Sequence, residues 1–135
     1  MIDNLRLVVQ NRLNSIKTEY GLTEISYRKA DRKNLYPHIV YYFTSITPAD
    51  MGRSDVIMDI DIWTRDQKIG FAILESCREL FAFCNSPDNS VLPTFYEISG
   101  GEIDDPDEEI THMVLRLEVQ VYEVGVTDSG ILGKE

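Results

Sequence analysis

The sequence is poor in the residues on which small catalytic and secreted proteins depend: two cysteines, two histidines and one tryptophan in 135 residues. Cys77 and Cys84 fall on one expected helix, where ~10 Å of axial rise separates their Cα atoms. A disulfide bridges less than ~7 Å between Cα atoms. The pair is therefore expected to be reduced and buried, as in a cytosolic chain. His38 and His112 each open an expected strand, without a Cys, Asp or second His at a zinc spacing. Each reads as a surface histidine rather than a catalyst. No G-x-S-x-G, P-loop or G-x-G-x-x-G is present, and Gly100-Gly101 extends into none of them.

Long hydrophobic runs are also missing. No stretch approaches the ~18 apolar residues of a membrane span. The N-terminal MIDNLRLVVQ carries Asp3 where a signal peptide needs positive charge, and it has no small-residue cleavage site. The expectation is a protein that stays in the cytoplasm where it is made, with no membrane partner.

Positive charge is scarce. The chain has 23 acids against 13 bases, a net charge of -10. Phosphate backbones repel such a chain unless its bases are segregated, and Arg6, Arg12, Lys17, Arg53, Arg65, Arg78 and Arg116 are spread along it. The one basic run, Arg28, Lys29, Arg32 and Lys33, reads as a solvated loop.

What is present is an ordinary globular mix, 43% hydrophobic and 27% charged. A chain this long buries about two-thirds of its unfolded surface. A single domain over residues 1–124 is expected, followed by a flexible tail over 125–135.

Ile2, Leu5, Val9, Leu13, Ile16 and Tyr20 recur at helical steps, so a helix is expected from Ile2 to Tyr20, capped by Gly21. Ser26 to Lys29 forms a short strand. Tyr36 to Thr44 is a stronger one, led by Pro37. Thr47 to Ser54 turns the chain. In the strand Asp55 to Thr64, Val56, Met58, Ile60 and Ile62 point one way, and Asp55, Ile57, Asp59, Asp61 and Trp63 the other. A second helix over Lys68 to Asn85 carries Ile69, Ile73, Cys77, Leu80 and Cys84 as its stripe, broadened by Phe81. Val91 to Ile98 is a further strand, and Gly100-Gly101 opens a turn. The last strand, Ile110 to Glu123, is long enough to outrun its own core towards a neighbour. The fold class is α+β: an antiparallel or mixed sheet with two helices on one face, in the order α-β-β-β-α-β-β.

Three features bear on chemistry. Asp59 and Asp61 share a strand face at ~7 Å, a spacing open to paired carboxylates or a metal. No His or further acid accompanies them in sequence, so a solvated outer face is the expectation. The run Glu102, Asp104, Asp105, Asp107, Glu108 and Glu109 lacks the register of an EF-hand. It reads as a solvated acidic surface, with contact to a partner or DNA as the alternative. Tyr41 and Tyr42 are adjacent on a strand and cannot both enter one core. With Trp63 they hint at an interface. Neither a metal nor a cofactor is expected.

The order of elements carries a likeness. An N-terminal helix, the strand YPHIVYYF, a loop, SDVIMDIDIWTRD and then a helix resemble the small tail-completion proteins and tail terminators of long-tailed phages. The shared marks are the Pro-led strand Pro37 to Phe43 and the box Ile60, Asp61, Ile62, Trp63. A long amphipathic strand, Met113 to Tyr122, completes them. The likeness covers residues 1 to 124.

The resemblance implies a non-enzymatic virion protein, assembled in the host bacterial cytoplasm. It implies a homo-oligomeric ring, commonly a hexamer, that caps the tail tube protein and docks the head-tail connector, with DNA passing through unbound. It supplies no catalytic residues; the interface residues expected are Tyr41, Trp63 and Tyr122. Two rivals remain open. One is a small metal- or ligand-dependent enzyme using Asp59, Asp61 and the acids from Glu102 to Glu109; the other is a cytoplasmic protein-binding adaptor.

Overall fold

The computed structural model describes residues 1–29, 35–49, 51–82 and 90–123. The elements run α1 (Ile2–Asn14), α2 (Lys17–Tyr20), β1 (Glu24–Tyr27), β2 (His38–Pro48), β3 (Arg53–Thr64), α3 (Gln67–Leu80), β4 (Val91–Ile103) and β5 (Thr111–Glu123). The five strands form one mixed sheet in the order β1-β2-β3-β5-β4. Only β1 and β2 are parallel; the other neighbours are antiparallel. The expected α+β class and order of elements are observed. The four-residue α2 is the addition.

The first helical stretch breaks before Tyr20. Ser15 and Ile16 bond their N–H groups back three residues, to Arg12 and Leu13, and the Ser15 hydroxyl donates to the Arg12 carbonyl at 2.6 Å. A hydroxyl competing for backbone carbonyls is a local reason for the interruption. Gly21, at φ 62°, ends α2 in the left-handed conformation that glycine adopts most easily.

All helices lie on one face of the sheet. Leu5, Val8, Val9 and Leu13 of α1 and Ile73, Leu74 and Cys77 of α3 join Ile39, Tyr41, Met58, Ile60, Ile62, Met113, Leu115 and Leu117 in one buried cluster. Asp66 caps α3, its carboxylate accepting from the backbone of Lys68 and Ile69 at 2.9 and 3.4 Å. The buried stripe of α3 is Gly70, Ile73, Leu74 and Cys77. Ile69 faces outward instead, because Gly70 is the residue that lies against the sheet. A Cβ at Gly70 would sit 3.2 Å from Thr64 Oγ1. Cys77 is fully buried, and burial pushes its thiol up to about 12. The helix ends at Leu80, short of the expected Asn85, with the Phe81 N–H bonding back to the Cys77 carbonyl; Cys84 and the tail from 125 lie outside the described residues.

Two expectations about the strands are corrected. Gly100 and Gly101 do not turn the chain: β4 runs through them to Ile103, with a register shift between Glu97 and Ser99. The residue left over at that shift is Ile98, and both glycines stay paired, with Leu115 and Val114. Nor does β5 outrun the core. It is paired on both sides along nearly its whole length, by β3 and β4, and Met113 to Val121 are buried on the helix side. The strands that leave the core are β4 and β2. In β4, Tyr96, Ile98 and Ile103 are exposed; in β2, Thr44 to Pro48 are.

Candidate interaction face

Alternation puts a second set of side chains on the face away from the helices: His38, Val40 and Tyr42 of β2; Asp59, Asp61 and Trp63 of β3; His112, Val114 and Arg116 of β5. The register then builds rows that cross the strands. His38, Trp63 and His112 are successive partners, as are Tyr42, Asp59 and Arg116.

The first row is a stack of rings. Trp63 lies between His38, at 5.1 Å between centroids, and His112, at 4.3 Å, and Tyr36 extends the stack at 5.2 Å from His38. The Arg65 guanidinium covers Tyr36 at 4.9 Å. His38 is thus only 4% exposed, correcting the expectation of a surface histidine: the rings of Tyr36 and, across the strand, Trp63 enclose it. His112 is half-buried.

The second row is ionic. Arg116 donates to both oxygens of Asp59, from Nε at 2.7 Å and from Nη2 at 2.9 Å, a bidentate fork. Asp61 accepts from His112 Nε2 at 3.2 Å. Asp59 and Asp61 are 4% and 7% exposed, so the expected solvated face is wrong. They point away from the helices as expected, but Tyr42, Trp63, His112 and Arg116 close over them. Their partners sit more than fifty positions away in sequence.

Tyr42 stands beside both carboxylates. Burial, and then the charges of Asp61 and Asp59, push its hydroxyl up to about 12 from an ordinary value of 10.0. A phenol whose pKa is raised by folding leaves stability intact below pH 10 and withdraws it as pH rises through about 12. An absorbance titration of the folded protein is expected to show a late tyrosine that disappears in Tyr42→Phe. An unchanged titration curve in the variant would contradict this placement.

The expected interface residues are not brought together as proposed. Tyr41 is fully buried on the helix side, its hydroxyl donating to Gln10 at 2.6 Å, and burial raises its pKa. Tyr42 is the outward member of the pair. Trp63 is on the open face at one end of the sheet. Tyr122, 37% exposed, is on the same face at the other end, against Arg53.

The acidic residues divide. Glu102 belongs to β4 and accepts from Gln67 at 2.9 Å. Asp105 and Asp107 accept from the backbone of Asp107 and Glu109, both at 2.9 Å, which folds the β4–β5 loop into successive turns. Asp104 and Glu108 are exposed on it, and Glu109 lies 3.8 Å from Arg65.

Open cavities lie on the face. One of about 450 Å³ is bounded by Tyr42, Asp59, Asp61, Gly101, His112 and Arg116. Among the described residues no group of three or more His, Cys, Asp and Glu is placed to hold a metal ion. Both oxygens of Asp59 accept from one guanidinium, which holds the carboxylate in an ion pair. No helix among the described residues is long and apolar enough to cross a membrane.

No protein-family model matches the sequence. No curated protein matches it either. Among solved structures, the fold is shared with a chain of the virion of a native gene transfer agent particle. The TM-score is 0.67, and the match covers 84% of this chain and 91% of that chain. Sequence identity is 7%, so the likeness is one of fold.

Proposed function

We propose that this chain is a non-enzymatic virion protein that caps a phage tail tube as a ring, commonly of six copies, and joins the tail to the head connector. The observation that carries this reading is the uncovered sheet face. It presents Tyr42, Trp63, Tyr96, Ile103 and Tyr122 on a scaffold that a virion chain also uses. Aromatic residues are enriched in protein interfaces, and the strands β2 and β4 that leave the core provide arms to reach a neighbour. Head-to-tail contacts between two unlike patches close into a ring when the rotation per copy closes. The acidic balance suits a ring through which DNA passes without sticking, because like charge repels it.

The buried pairing of Asp59 with Arg116 and of Asp61 with His112 weakens the enzyme reading, since it ties up two of the acids on which that reading draws. Tyr122→Glu is expected to abolish the ring while leaving a folded monomer, because Tyr122 contributes nothing to the buried cluster. Size-exclusion chromatography with light scattering, beside circular dichroism, measures both. A variant that still forms the wild-type oligomer contradicts the placement of the interface.

A further inference from the structure

The basic run of the sequence has no role in the account above. Its described part, Arg28 and Lys29, follows β1 and lines a second cavity of about 470 Å³ on the open face, with Tyr36, His38, Tyr42 and Trp63 among its walls. The Arg28 backbone is pinned there, its N–H donating to the Tyr41 carbonyl at 2.9 Å. Neither Arg28 nor Lys29 has an ion-pair partner among the described residues. His38 closes one wall of the cavity. It is 4% exposed, and its Nδ1 lies 2.7 Å from the Leu35 carbonyl, to which it must donate. In the neutral ring this leaves Nε2 an acceptor, with which a carboxylate does not pair. Asp61 also lines the cavity, but His112 holds it. Two cations without an ion-pair partner among the described residues fit a ligand that carries carboxylates.

The chain itself supplies such a ligand. The β4–β5 loop, residues 104–110, exposes Asp104 and Glu108, whose carboxylates have no partner among the described residues. The end of the loop lies near the cavity within one copy, since Glu109 is 3.8 Å from Arg65, whose guanidinium covers Tyr36 of the cavity wall. Charge complementarity matches Asp104 and Glu108 to the cations of a neighbouring copy.

We propose that Arg28 and Lys29 form a socket for the acidic β4–β5 loop of the next copy, so that each contact around the ring joins a basic patch to an acidic one. This rests on the ring reading and names its electrostatic partners. Charge pairing of this kind sets register and suppresses wrong docking.

The test uses two full-length variants, Arg28→Glu/Lys29→Glu and Asp104→Lys/Glu108→Lys, followed by sedimentation velocity alone and as an equimolar mixture. Each variant alone places like charge against like charge and is expected to associate at least ~10-fold more weakly than wild type, with unchanged circular dichroism. The mixture restores opposite charges at every contact and is expected to recover the wild-type oligomer. Two further results overturn the socket while leaving the ring: variants that assemble like wild type, and a mixture that does not recover. A wild-type chain that stays monomeric at every concentration overturns the socket and counts against self-assembly of the ring. A fluorescent DNA duplex bound by wild type and lost only in Arg28→Glu/Lys29→Glu, with assembly unaffected, assigns the cations to nucleic acid and overturns the socket.

Discussion

Ile60→Asp is expected to leave the chain unfolded at 25 °C. Ile60 is fully buried in the centre of β3, between Tyr41 on β2 and Leu115 on β5, beneath the helices. An ionised carboxylate there gains no partner and costs several kcal/mol. Loss of the aliphatic side chain removes about 2–5 kcal/mol more. Against a typical total stability of about 5–15 kcal/mol, the sum is comparable to the whole. Leu117→Asp, at a position 2% exposed on β5, is expected to behave in the same way. Circular dichroism and urea titration measure the outcome. Native spectra with unchanged midpoints in both variants would show that the helix-facing side of the sheet is wrongly assigned.

The second large effect concerns the open face. Arg116→Met leaves Asp59 as a carboxylate that is 6% exposed and without its counter-charge, whereas the guanidinium it loses was 47% exposed. Stranding a buried charge costs about 3–5 kcal/mol in fully buried pairs. Solvent screening of the exposed partner reduces that, so about 2 kcal/mol is expected. Asp59→Leu/Arg116→Met removes both charges and is expected to recover most of the loss. A double-mutant cycle by urea denaturation isolates the pair. Additive single effects, with no coupling, would mean that the fork does not form in solution.

Most of the fold was legible because it depends on periodicity. The alternation at Val56 to Ile62 and at Met113 to Val121 set the helix-facing side correctly, and Gly21 marked the helix end through its backbone freedom. The turn at Gly100-Gly101 was misread because glycine also serves inside a strand where another group comes close: a Cβ at Gly100 would sit 2.8 Å from Arg78 Nη2. The face of Tyr41 and Tyr42 was undecidable from one strand alone. Both are aromatic, and only the register with Ile60 and Asp59 separates them.

The open face was legible residue by residue but not as an arrangement. Alternation already placed Asp59, Asp61 and Trp63 on one face of β3. The same rule applied to β5 puts His112 and Arg116 on one face. What sequence spacing cannot show is that these two strands are neighbours, and a search for ligands close in sequence misses partners on another strand. The burial of His38 follows from the same adjacency, since its covering rings come from Tyr36 and, across the strand, Trp63.

The central claim, a ring that ends a tail tube and receives the head, is tested most directly by deleting the gene from the genome that encodes it and imaging the particles produced by electron microscopy. The account predicts over-long tails, or tails and heads that never join, with infectivity or transfer lost and restored by the wild-type gene in trans. Normal virions at full titre from the deletion strain would contradict it.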